Sequence, residues 1–202
     1  MFAIVFATGQ GGNKATTSPS PTTTATVSQD SSARPTGCLG GRNRDAAMLL
    51  AAQKDAPHTE SGAVDLASAM VRWSFRYPGT SVPDAQTISD AIISPEASAS
   101  FRDLAGTAAQ DTNTSGGAVP DGTPFYLTTA NGVWHIESST VNAVSVSVGA
   151  IYVINGAVSP QLKSSTTFSL VWESGAWRIK SGSIDRTTEE LFSIGNAFTG
   201  GC

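Results

Sequence analysis

The 202 residues are 40% hydrophobic, which supplies one ordinary core and hardly two, so a single domain with a tail is expected. Net charge is -4 and the basic residues are scattered; the densest group, Arg42 and Arg44, forms no phosphate-binding stripe, which excludes nucleic acid as a direct partner. Charged residues make up only 14%, with Ser, Thr, Ala and Gly abundant, a bias shared by secreted and surface proteins of high-GC bacteria.

Met1 to Thr8 is an apolar run that stops at Gly9-Gln-Gly-Gly12. It is far shorter than the roughly 20 residues that span a bilayer, and no cationic segment precedes it as in a signal peptide. It reads as the last third of a membrane anchor (1–8) whose beginning lies upstream, which would make the chain a single-pass membrane protein with an extracytoplasmic C-terminal domain. The competing readings are a stray apolar start and a secreted protein. Residues 9–37 contain no aromatic side chain and include Ser18-Pro-Ser-Pro21 followed by three threonines. Such a segment cannot bury enough surface to offset its ordering entropy and is expected to be a disordered stalk.

The remainder, 38–202, is expected to form one α+β domain. A strap (38–60) holds a short helix-compatible run at Met48, Leu49 and Leu50 and packs on the domain from outside. The core (61–185) opens with a helix from Ser61 to Tyr77, stopped by Pro78-Gly79, in which Leu66, Met70, Trp73 and Tyr77 recur at helical spacing and should cover a sheet. A second helix spans Asp84 to Ile93. Ser94-Pro95-Glu96 reads as N-cap, first position and acidic first turn of a third helix that passes Phe101 and Leu104 and frays at Gly106. Residues 110–122 form an exposed loop.

From Thr123 the period becomes two. Asn131-Gly132 between Pro124–Thr129 and Val133–Ile136 predicts a hairpin. Val144, Val146 and Val148 alternate with serines into Ile151–Ile154, past a bulge expected at Gly149. Asn155-Gly156 turns the chain, and Thr166–Glu173 with Ala176–Ile184 make a hairpin about Ser174-Gly175. A C-terminal helix from Thr187 to Ile194 covers one end, within a tail spanning 186–202.

Cys38 and Cys202 bracket the folded part. Their placement suggests a disulfide, worth on the order of 4 to 5 kcal/mol in the chain-entropy model; the alternative is two unpaired thiols. Two cysteines with the distant His58 and His135 make no metal-ligand spacing, and Gly9-Gln-Gly-Gly12 lacks the flanking elements of a phosphate loop, so neither metal nor cofactor is expected.

The helix-rich first half, the antiparallel second half and the closing phrase Leu170-Val-Trp172-Glu-Ser-Gly175-Ala-Trp177-Arg-Ile179 resemble the nuclear transport factor 2-like superfamily. The resemblance covers Gly62 to Asp185 and implies N-terminal helices packed on a strongly curved antiparallel sheet, a cone. With an anchor and a stalk, and with Arg72–Pro78 and Asp45–Leu50, the chain further resembles the bitopic subunits of type IV secretion and conjugation machines, and uncharacterised actinobacterial proteins encoded beside them. That likeness implies a non-enzymatic, membrane-tethered accessory protein whose partners are other subunits of a membrane complex or further copies of itself. The alternatives are a module that binds a small apolar ligand in a cavity lined by Trp73, Tyr77, Trp134, Trp172 and Trp177, and an isomerase or cyclase of the same superfamily. Such an enzyme needs a buried carboxylate or a His–Asp pair. His135 alternates with Trp134 and faces the other way, and Asp65, Asp90 and Asp103 read as solvated or capping residues, so no catalytic residue is assigned.

Overall fold

The computed structural model describes residues 34–110 and 113–202; the anchor expected at 1–8 and all but the last four residues of the stalk expected at 9–37 lie outside them. Helices α1 (Ala46–Asp55), α2 (Glu60–Ser74), α3 (Val82–Ile92), α4 (Ala99–Arg102) and α5 (Leu104–Gln110) precede the long strands. The long strands β2 (Phe125–Thr140), β3 (Ala143–Ile154), β4 (Ala157–Glu173) and β5 (Ala176–Ser183) form an antiparallel meander. The short strands β1 (Arg76–Tyr77) and β6 (Asn196–Ala197) both pair with β2, and α6 (Thr188–Ile194) lies between β5 and β6. The α+β expectation holds in this form: helices on a strongly curled antiparallel half-barrel.

Alternation along the strands sorts the two faces. Val144, Val146, Val148, Ala150 and Tyr152 on β3 stand opposite Leu170, Phe168, Thr166 and Ser164 on β4, and this inner face meets α2 in one core with Leu66, Met70 and Trp73. On the outer face, Gly149 lies under α6: a side chain there would stand 2.7 Å from Phe192 and 2.8 Å from Val133. The two-residue turns Asn155-Gly156 (φ 50° and 81°) and Ser174-Gly175 (φ 53° and 81°) occur where expected, both in the left-handed region that tight hairpins need.

Six expectations are corrected. Asn131-Gly132 is no hairpin: β2 continues through it, and residues 129–132 bulge out opposite Ala150 while both sides stay paired with β3. Asn131 takes the left-handed conformation (φ 58°) that the dipeptide signals, but it kinks the strand instead of reversing it, and the bulge carries Thr129 to the C-terminal residue, where its N–H donates to the Cys202 carbonyl at 3.2 Å. The turn lies at Val141-Asn142, and the bulge expected at Gly149 sits on the facing strand instead.

The helix expected to reach Tyr77 ends at Ser74, because Arg76 and Tyr77 are drawn into pairing with Tyr126 and Phe125, and Pro78 disfavours helix in the residue before it. Ser94 caps no helix: its N–H donates to Ile179 O at 2.9 Å and Ile93 bridges Ile179, so the segment closes the outer edge of β5 before α4 starts after Ser98. Finally, the strap is part of the core. Asp45 caps α1 by accepting from the Met48 N–H at 2.9 Å, and Met48, Leu49 and Ala52 are buried. The loop before β2 is also packed in part, with Val119 buried and bonded to Ser115 and Asn113.

Candidate functional site

A sheet edge is a row of unpaired N–H and C=O groups, so the way each edge is closed shows where a partner could add. From Phe125 to Trp134 the free side of β2 is closed in series by β1, by Phe75 O accepting from Leu127 N (3.0 Å), by Cys202 O accepting from Thr129 N, and by β6. That of β5 is covered at Ile179 by Ile93 and Ser94, with Arg178 donating to Asp90 O and Ile93 O at 3.3 Å.

β4 differs. Its pairing with β5 ends at Thr167↔Ser183, while its pairing with β3 continues to the far end of the strand. At residues 159–162, which bulge opposite Tyr152, Pro160 and the Ser159 hydroxyl blunt the edge, the latter accepting from Leu162 N at 2.9 Å. Lys163 to Thr166 are left as a short straight edge with no neighbouring strand.

That edge forms one wall of a groove of about 520 Å³, bounded by Phe75, Thr114–Gly116 and residues 182–184 and 186–188. Ser164 and Thr166 point to the inner face, Lys163 and Ser165 to the outer one. The hydroxyls of Ser164 and Ser165 are buried without a hydrogen-bond partner. At the rim, Ile184 is 79% exposed, an unusual position for a large aliphatic side chain.

The polar groups around the groove are held in place. Arg186 makes two bonds of 2.6 Å to the Glu137 carboxylate, which also accepts from the Ser147 hydroxyl at 2.6 Å, itself bonded to Thr167. The Arg186 bonds hold the Glu137 carboxyl below its ordinary pKa. Lys163 places its ammonium over the Phe192 ring at 4.2 Å. Burial pushes the Tyr152 phenol up, so it stays neutral. Ser164 and Ser165 contact no base that could activate them. The groove therefore offers main-chain hydrogen bonds, small hydroxyls and an apolar rim, the chemistry of an extended peptide.

The five aromatic residues expected to share a cavity are not gathered in this groove. Trp177 is fully buried and donates to Pro57 O at 2.8 Å. Trp172 stacks on His58 with ring centres 4.1 Å apart. Trp73 sits in the core on α2, Trp134 faces the same interior from β2, and Tyr77 pairs with Phe125 through β1. A second, polar cleft of about 430 Å³ between α3 and the β4–β5 turn is lined by none of the five.

Of the aspartates, Asp90 is exposed and Asp103 caps α5 by accepting from Gly106 N at 2.8 Å, as expected. Asp65 is a correction: it is buried and accepts from the N–H groups of Thr36 and Gly37, each at 2.9 Å. Residues 34–37, assigned by composition to the stalk, thus run along α2. Arg72, two turns on, is fully buried and donates to Leu39 O and Gly41 O, each at 2.7 Å. Cys38 and Cys202 are joined by a disulfide beside it. Two opposite charges seven positions apart on an otherwise apolar helix share a face, a spacing from which this clasp could have been read. Asp65 and Arg72 are the charged residues buried among those described, and both face the clasp rather than the sheet.

Among the described residues no cluster could hold a metal ion, and no helix is long and apolar enough to cross a membrane. No protein-family model matches the chain, and no curated protein or solved structure matches it.

Proposed function

We propose that this chain is a non-enzymatic extracytoplasmic assembly domain, tethered to the membrane on its N-terminal side, that binds an extended segment of a partner subunit along the open edge of β4. The observation that carries the reading is the edge of β4 at Lys163–Thr166, which no strand pairs and which walls a groove beside the unpartnered hydroxyls of Ser164 and Ser165. Strand addition takes its affinity from main-chain bonds and its selectivity from alternate side-chain positions. The disulfide supports an oxidising compartment outside the cytoplasm. The fold is that of a nuclear transport factor 2-like domain, which the helices on the concave side and the Trp172–Trp177 hairpin support, and the role is that of a conjugation or type IV secretion accessory subunit.

A photo-crosslinking residue at Lys163, used in membranes of the native host, is expected to capture a peptide of another membrane-complex subunit. Ile184→Asp, at the exposed rim, should abolish that capture while changing stability by less than about 0.5 kcal/mol. An absence of protein cross-links together with a co-purifying apolar small molecule would overturn the proposal in favour of a ligand-binding module.

A further inference from the structure

The clasp holds an arrangement that a merely structural disulfide does not need. Arg72 is fully buried, and among the described residues no carboxylate forms an ion pair with it. Its guanidinium donates to Leu39 O and Gly41 O and lies with Nη1 2.9 Å from Cys202 Sγ; Nε has no partner. Burial, with a smaller part from the charge of Arg44, lowers its pKa to about 10. The nearest opposite charge acting on it, Asp65, makes no ion-pair contact and is bonded to the amides of Thr36 and Gly37, so a thiolate at Cys202, in direct contact, would neutralise the buried cation further. No such group contacts Cys38, whose N–H donates to Thr36 Oγ1. Both cysteine residues are partly exposed.

We propose that Cys38–Cys202 is a thiol-exchange site with a fixed polarity, at which an incoming thiolate attacks Cys38 and Cys202 leaves as a thiolate paired with Arg72. The new S–S bond joins the incoming sulfur to Cys38 Sγ, and the electron pair of the broken bond goes to Cys202 Sγ. The first product is a mixed disulfide at Cys38. With a dithiol, its second thiolate then attacks the dithiol's own sulfur in that mixed disulfide; Cys38 leaves as a thiolate with the electron pair of the broken bond, and the dithiol departs oxidised, having left two electrons on Cys38 and Cys202. Stabilising the reduced form makes a disulfide more oxidising, which places this bond among the exchangeable ones.

The charged groups around Cys202 bear on its titration. Arg72 comes from α2 and Arg44 from the strap, while Asp65 is engaged by the amides of Thr36 and Gly37. The Cys202 carbonyl accepts from Thr129 N and Oγ1 on β2.

The test uses the whole chain with reduced glutathione, quenched by iodoacetamide and read by peptide mass spectrometry. Glutathione is expected on Cys38, with at least tenfold less on Cys202, and the freed Cys202 should alkylate at pH 6 at least tenfold faster than a model thiol of pKa about 8.5. In Cys38→Ser, thiolate absorbance should place Cys202 well below that value, and Arg72→Gln should return it there. Glutathione on Cys202, an even split, or an ordinary Cys202 titration in Cys38→Ser would each overturn the proposal. The wild-type and Cys38→Ser readings decide it even if Arg72→Gln does not fold.

Discussion

The clasp and the open edge of β4 are both places where the chain comes to a boundary of the sheet, and they are finished in opposite ways. At the clasp, β6 and the Cys202 carbonyl cover part of the free side of β2, Asp65 and Arg72 bind residues 36–41, and a disulfide fastens Cys202 to Cys38. At Lys163–Thr166 no segment returns, and two serine hydroxyls stay unpartnered. The difference is one of bonding already satisfied: a covered edge has spent its donors and acceptors on stability, and an open one keeps them for a partner. Substitutions at the clasp should therefore cost stability, and those at the edge should cost association.

The largest expected effect is that of Cys38→Ser combined with Cys202→Ser. A cross-link over 164 residues is worth about 5 kcal/mol in the chain-entropy model, so the urea midpoint should fall sharply; a change below about 1 kcal/mol would mean that the other contacts hold the clasp alone. Trp177→Ala, which removes the buried ring joining β5 to the segment before α2, should cost about 3 to 5 kcal/mol by the same measurement. Asp65→Ala leaves the Thr36 and Gly37 amides without an acceptor and should cost about 1 to 3 kcal/mol, with faster hydrogen exchange at those two amides. Asp65→Asn, which keeps an acceptor and removes a desolvated charge, should be milder.

Near the edge the effects are smaller and depend on pH. The Glu137 pKa is lowered by Arg186, so its contribution is present above the ordinary carboxylate pKa and is lost as pH falls through the lowered folded value. Asp65 runs the other way: burial raises its pKa, so its charge penalises the folded state at neutral pH and the penalty is relieved on acidification through the raised value. Glu137→Gln should flatten the loss of stability on the acid side, seen as the melting temperature between about pH 6 and pH 3, and Asp65→Asn should steepen it. Equal profiles in the two variants would erase the distinction between the regions. The smallest stability change is expected at Ile184→Asp, whose effect belongs to binding.

What could be read from the residues alone was whatever depends on short-range chemistry. The turns at Asn155-Gly156 and Ser174-Gly175 need left-handed residues, the apolar period of α2 needs a sheet to cover, and the Thr187 cap with Glu190 starts α6 wherever it packs. The same local rule failed at Asn131-Gly132 and at Ser94, because a left-handed residue serves a bulge as well as a turn, and a serine before proline serves a bridge as well as a cap. Which applies depends on what stands opposite, Ala150 and Cys202 in one case and Ile179 in the other. The candidate site was hidden for the same reason. Lys163-Ser-Ser-Thr166 carries no motif, and only the point at which β5 turns away makes it an edge. Sequence determined the elements, because φ/ψ preference and hydrophobic period act over a few residues. The tertiary structure decided the clasp and the open edge, because each depends on whether segments far apart in the chain meet.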